Sequence, residues 1–225
     1  MAEQLTFDLP VRPALGREAF FVSPANATAL ALLDGWRDWP LGKLVLVGPA
    51  GAGKTHLAHV WAAETDARIV PASDVTEASV PTLAEAPALA IEDADGGALD
   101  ERALFHLHNL LAEAKRPLLL TAQRAPRDWG LALPDLASRI EAAGRAELAP
   151  PDDALLQAVL VKLFEDRQIA VPPALLPYLT ARMDRSFAAA RALVVALDAA
   201  ALAEGRAITR PLAAQVLDKL GEADA

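Results

Sequence analysis

The apolar run Leu44-Val45-Leu46-Val47 leads directly into Gly48-Pro49-Ala50-Gly51-Ala52-Gly53-Lys54-Thr55. Nothing else in the chain restricts its fold as strongly. The octapeptide has the G-x-x-x-x-G-K-T spacing of a phosphate-binding loop, which works between a buried strand and the first turn of a helix. Its glycines let backbone N–H groups approach a polyphosphate with no Cβ in the way. Lys54 is spaced to reach the β- and γ-phosphates, and the Thr55 hydroxyl to hold Mg²⁺. A four-residue run with no polar alternation reads as a strand buried on both faces, which calls for a parallel sheet covered by helices.

The downstream pattern agrees. Residues 26–39 and 54–64 read as helices. Short runs at 68–70, 88–91, 117–121 and 145–148 read as further strands. Residues 100–114 carry Leu104, Leu107, Leu110 and Leu111 at helical spacing. Strands alternating with helices give an α/β parallel sheet. After Pro150-Pro151 only helical patterns remain, at 152–167, 172–183, 186–204 and 210–219. The expected division is a tail over 1–19, an α/β nucleotide-binding core over 20–150 and a small all-helical lid over 151–225. That order is the outline of an AAA+ P-loop NTPase.

Composition removes several classes. No run approaches the roughly 18 apolar residues of a membrane span. The N-terminus carries Glu3 and Asp8 and lacks the basic and apolar regions of a signal peptide. The chain has no cysteine, which excludes disulfides and thiolate metal sites and suits a cytoplasmic protein. A net charge of −9 argues against direct DNA binding through a phosphate-neutralising surface. His56, His59, His106 and His108 lack the carboxylate spacing that would complete a metal site. Trp36 and Trp39 read as packing residues, because a nucleic-acid stacking platform also needs basic neighbours.

A second acidic element follows the loop. In Leu89-Ala90-Ile91-Glu92-Asp93 an apolar strand ends in two carboxylates, the Walker-B arrangement. One carboxylate orders Mg²⁺ or its waters, and its neighbour polarises an attacking water. Glu92 stands where a metal-associated Asp is expected. Its longer side chain moves the carboxylate outward by about 1.5 Å, which predicts weak intrinsic hydrolysis.

These motifs, in this order, resemble the DnaA-type AAA+ replication initiators, especially their truncated Hda branch. The P-loop continues as Gly53-Lys54-Thr55-His56-Leu57, similar to the family's GKTHL. Phe21-Val22 and Asn26 resemble the adenine-holding segment. Phe105-His106-Leu107-His108-Asn109 resembles the helix after Walker-B, and Leu120–Pro126 the sensor-1 strand, with Gln123 at its usual Asp. Leu136-Ala137-Ser138-Arg139 resembles the box that carries the arginine finger, and Gly205–Thr209 the GRAIT segment of the lid. The resemblance implies ADP or ATP with Mg²⁺ as cofactor, Arg139 and Gln123 as catalytic residues, and DnaA and the sliding clamp as partners. A homo-oligomer stays open. The register puts Ala188 at the sensor-2 arginine, with Arg185 or Arg191 as the nearest substitutes on that helical face.

The tail adds Gln4-Leu5-Thr6-Phe7-Asp8-Leu9, which resembles the QLxLxL clamp-binding peptide. In an extended chain Leu5, Phe7 and Leu9 project to one side, and Gln4 is free to bond at a pocket mouth. Two rival readings stand beside this one: a helicase-loader-like or anchoring P-loop protein, and a self-sufficient P-loop ATPase or kinase.

Overall fold

The computed structural model describes residues 21–97 and 99–223. The clamp-motif residues Gln4, Leu5, Phe7 and Leu9 lie outside them. In chain order the elements are α1 (Ala27–Asp34), β1 (Lys43–Val47), α2 (Lys54–Thr65), β2 (Arg68–Pro71), α3 (Val80–Ala84), β3 (Leu89–Glu92) and α4 (Glu101–Glu113). There follow β4 (Leu118–Ala122), α5 (Pro134–Glu141), β5 (Gly144–Glu147), α6 (Asp153–Asp166), α7 (Leu175–Thr180), α8 (Phe187–Glu204) and α9 (Arg210–Ala223). The five strands form one parallel sheet in the order β2-β3-β4-β1-β5.

All five residues of β1 are buried, as the absence of polar alternation requires. Their side chains divide between the sheet's faces. Val45 and Val47 pack with Leu104, Leu107 and Leu111 of α4 and Leu136 and Ile140 of α5. Leu44 and Leu46 pack with Leu30 and Leu33 of α1 and Leu57 and Trp61 of α2. Trp39 stacks on Trp61 with ring centroids 5.2 Å apart, so this tryptophan is a packing residue. A third apolar cluster joins Leu156, Leu160 and Phe164 of α6 to Leu193 and Leu197 of α8 and Val216 of α9.

Helix starts follow their capping chemistry. Asp100 accepts from the N–H groups of Arg102 and Ala103, Asp152 from Leu155, and Ser186 from Ala189. Helix α2 differs. Its N-cap is Gly53 and no side chain caps it, so its first N–H groups face the P-loop. The expected strands are all present. Helix α7 is shorter than the pattern over 172–183, because Pro172 and Pro173 precede it. Helices α3 and α5, five and eight residues long, carry too little periodic sequence to be read in advance.

Candidate functional site

The parallel sheet presents two ends, and charged side chains collect at both. At the strand C-termini β1 runs into the P-loop. Gly51 and Gly53 have φ of 72° and 97°, a backbone that L side chains rarely adopt. Lys54 is 7% exposed and its Nζ donates to the carbonyls of Gly48 at 2.7 Å and Pro49 at 2.9 Å. Burial lowers its pKa, while Asp93, Asp95 and Glu92 act in the opposite sense and favour the charged form. Three carboxylates thus lie within electrostatic reach of the lysine that the loop supplies.

Strand β3 delivers those carboxylates. Glu92 is its last residue, and its buried Oε1 meets no hydrogen-bond partner among the described residues. Asp93 follows with φ of 54°, a left-handed conformation that Asp tolerates better than most residues. Thr121 of β4 pins this turn: its Oγ1 accepts from the Asp93 N–H at 3.1 Å, and its carbonyl from Ala94 at 2.8 Å. Asp95 then staples the turn to the end of β4. Its carboxylate accepts from the N–H groups of Gln123 at 3.1 Å and Arg124 at 3.0 Å, and pairs with the Arg124 Nε at 3.3 Å. Gln123 is held by its backbone, and the residue is exposed. Asp95 is a site residue that the sequence motifs do not single out. Its only sequence signal is the third acid of Glu92-Asp93-Ala94-Asp95.

Two positive-φ glycines, an uncapped helix start, a buried lysine and an orphaned carboxylate oxygen fit a magnesium polyphosphate. Gly48 to Thr55 would hold the phosphates, and Thr55 and Glu92 the ion. Phosphate would replace the two carbonyls that Lys54 now contacts.

The start of α8 lies on this loop. The Phe187 N–H donates to the Gly51 carbonyl at 3.1 Å. A Cβ on Gly51 would come within 2.4 Å of the Ser186 Cβ, and one on Gly53 within 2.8 Å of the Phe187 ring. The expected sensor-2 substitutes sit otherwise. Arg185 donates to Asp153 of α6 at 2.6 Å, and Ala188 and Arg191 are exposed. Ser186 and Phe187 therefore meet the P-loop where the resemblance implies an arginine. Their sequence signal is the Ser186 cap before an alanine-rich helix.

The predicted adenine segment is ordered by Asn26. This buried side chain donates to the Phe21 carbonyl at 2.9 Å and accepts from the Ser23 N–H at 2.9 Å. Phe21 and Val22 are exposed. His56, in the first turn of α2, is half-buried.

Arg139 belongs to the opposite end of the sheet. It is exposed in the last turn of α5. Its guanidinium donates to Asn109 Oδ1 and lies 4.8 Å from the centroid of the Phe105 ring. Asn109 and Phe105 of α4 hold it. Two further groups stand behind it, neither foreseen from sequence. Lys43, the first residue of β1, is 2% exposed. Burial first, and then Arg139, lowers its pKa from 10.5 to about 8. His108 is also 2% exposed; its ring nitrogens make no hydrogen bond of good geometry, although the Asn109 side chain is close enough to act on it. Burial first, and then Lys43, lowers its pKa from 6.5 to about 4. A side-chain hydrogen bond with Asn109 pulls the other way but more weakly.

No protein-family profile matches the chain. The fold has relatives among solved structures. Domain III of the Thermotoga maritima replication initiation protein DnaA superimposes with a TM-score of 0.78 at 20% identity, over 94% of this chain and 98% of that one. AMPPCP-bound DnaA from Aquifex aeolicus gives 0.69 at 17% identity over 83% of this chain, which spans 66% of that one. A single-residue variant of Thermotoga maritima RuvB gives 0.71 at 18% identity over 88% of this chain and 70% of its own. The fold is that of the AAA+ P-loop ATPases. In particular it is the α/β arrangement of DnaA domain III and of RuvB. No described helix is long and apolar enough to cross a membrane.

Proposed function

We propose that this chain is an Hda-like AAA+ regulator of DNA replication initiation. It binds ADP or ATP in its own P-loop, docks on the sliding clamp through Gln4, Leu5, Phe7 and Leu9, and promotes hydrolysis of DnaA-bound ATP through Arg139. The placement of Arg139 carries this reading. It lies in the last turn of α5, which leads into β5 where Gly144 pairs with Leu44 near the start of β1, whereas the P-loop follows Val47, the last residue of β1. Four residues of strand rise separate those positions by about 13 Å. An arginine at that distance does not reach phosphates in the chain's own loop, which favours a role toward a nucleotide held by a partner. Asn109 and Phe105 fix the guanidinium's direction, so little order remains to be imposed when it meets developing phosphoryl charge.

In the chain's own site, bound Mg²⁺ would supply charge stabilisation on the phosphates. Lys54 would neutralise the phosphate oxygens, and Asp93 would orient a water. Intrinsic turnover is slow in this reading, because Glu92 replaces the shorter carboxylate and no arginine reaches the loop from α8. Each segment then has its own role. The tail docks on the clamp, the α/β core binds nucleotide and carries the finger, and the lid closes over the P-loop. The protein acts in the cytoplasm on DnaA and the clamp, without reading DNA sequence itself.

The test is to add the chain, with clamp loaded on DNA, to DnaA preloaded with ATP. Accelerated conversion to ADP is expected, and deletion of residues 1–9 should abolish both clamp capture and the acceleration. Capture of partners without conversion supports the helicase-loader-like reading. Turnover without partners near a typical enzyme rate of about 10 s⁻¹ supports a self-sufficient ATPase.

A further inference from the structure

Five non-glycine residues among the described ones adopt a positive φ: Leu41, Asp66, Asp93, Lys115 and Gln168. Four are polar and have a local reason. Asp66 caps the end of α2, Lys115 and Gln168 each follow the C-cap of a helix, and Asp93 turns the chain beyond β3. Leu41 is different. It is the third residue of the turn Trp39-Pro40-Leu41-Gly42, which the Gly42 N–H closes on the Trp39 carbonyl at 2.9 Å. Its φ is 54° and its ψ 20°. A turn with positive φ at its third position favours Gly, which has no Cβ to clash, or Asn, which tolerates the region. The leucine is also 65% exposed, so its side chain gains nothing by burial. A single exposed leucine is ordinary. A leucine that is exposed and left-handed as well costs stability, with no compensating contact among the described residues.

The turn sits at the strand-start end of the sheet, the end that also carries Arg139. Gly144, the first residue of β5, pairs with Leu44 of β1, and a Cβ on it would come within 3.1 Å of Pro40 Cδ. Arg139 precedes Gly144 by five residues, a separation of at most about 18 Å even for extended chain. The turn lies on the Leu44 side of the sheet and α5 on the Val45 side, so a partner that touches both reaches around the starts of β1 and β5. A stable protein interface buries about 800 Å² on each partner, a patch roughly 30 Å across. One such footprint spans both residues. Backbone strain that the fold itself does not need points to function. We infer that Leu41 is an apolar anchor for the protein whose nucleotide Arg139 serves, and that it enters an apolar pocket on that partner. Pro40 fixes the turn, which lowers the order still to be imposed on docking. Leu41 then supplies affinity and Arg139 supplies rate. This inference rests on the trans role proposed for Arg139.

The test titrates the full chain, with clamp loaded on DNA, against DnaA preloaded with ATP. It separates the concentration that gives half-maximal hydrolysis from the rate at saturation. Leu41→Asn suits the left-handed turn and removes the apolar group. It should raise the half-maximal concentration about tenfold, as loss of an interface anchor does, with a saturating rate near that of wild type. It should also raise the thermal midpoint by about 2 °C as the strain is relieved. Leu41→Met keeps an apolar side chain and should titrate like wild type. Leu202→Gln, which alters a leucine 66% exposed in α8, should do the same. The inference is overturned if Leu41→Asn titrates like wild type, or if it loses rate at saturation rather than affinity. A midpoint that does not rise overturns it too, because there was then no strain to relieve. So does an equal loss in Leu202→Gln, which would mark a general effect of polar surface substitution. In each of these cases the trans reading stands if Arg139→Ala abolishes the saturating rate. If wild type does not discharge DnaA-bound ATP, the proposed function fails and this inference fails with it.

Discussion

Two buried lysines frame the same strand. Lys54, just beyond the C-terminal end of β1, bonds to two carbonyls and faces Asp93, Asp95 and Glu92. Lys43, at the N-terminal end, faces Arg139 and a histidine and has no carboxylate partner among the described residues. Both lose hydration by burial, yet only one is compensated from within the chain. In the proposed function the P-loop end is the chain's own nucleotide site, where Lys54 would offset phosphate charge and the acids would hold the metal ion. The opposite end carries Lys43 and Arg139 with no carboxylate named among the groups that act on Lys43. The proposed division between a nucleotide of the chain's own and a partner's is consistent with this difference.

The largest expected effect is on the compensated lysine. Lys54→Ala removes charge-assisted contacts of roughly 1.5–3 kcal/mol each, so calorimetric affinity for ADP and ATP should fall by about two orders of magnitude. Unchanged affinity in a folded variant would rule out the P-loop as the nucleotide site.

Next comes the uncompensated pair, read through the pH dependence of stability. The folded-state pKa of Lys43 is depressed to about 8 from 10.5. Above pH 8 the folded chain gives up this proton while the unfolded chain keeps it. Stability should therefore rise between pH 8 and 10.5 by up to roughly 3 kcal/mol from this group. Lys43→Met should gain a comparable amount at pH 7 and lose that slope. His108 works at the other limit. Its folded pKa is depressed to about 4 from 6.5, so the unfolded chain takes up the proton first as pH falls. Stability is lost from 6.5 down to 4, and His108→Leu should flatten that limb in denaturant titrations.

The smallest effect concerns the lid. Ser186→Ala removes the α8 cap and should cost about 1 kcal/mol in thermal or denaturant unfolding. Because the same residue lies against Gly51, nucleotide dissociation should also quicken. A stability loss with unaltered dissociation would mean that the lid contact does not govern release.

The strong sequence signals are those with a backbone consequence. The P-loop needs its glycines and strand, and an uninterrupted apolar β1 needs cover on both faces, so the sheet and the nucleotide end are legible in advance. Signals that depend on which side chains meet across the fold are not. Lys43 looks like an ordinary charged residue before a strand, and only the packing of α4 and α5 over β1 shows it buried. His108 sits in a motif read for its neighbours Phe105 and Asn109. Asp95 acts through backbone groups 28 and 29 residues further along the chain. Arg185 is a reasonable sensor-2 substitute by helical spacing, but Asp153 lies nearer to hand. Short helices with prolines, α3 and α5, leave too few turns for periodicity to register.

In the proposed function one end of the sheet holds the chain's own nucleotide while the other acts on a partner's. Its most direct test is single-turnover hydrolysis of ATP preloaded on DnaA, with clamp on DNA, comparing the wild-type chain with Arg139→Ala. Wild type is expected to discharge the DnaA-bound ATP and the variant to fail, although both bind ADP and clamp alike. Arg139→Lys should restore little, because a flexible point charge does not reproduce the planar fork. Equal stimulation by wild type and Arg139→Ala would contradict the claim.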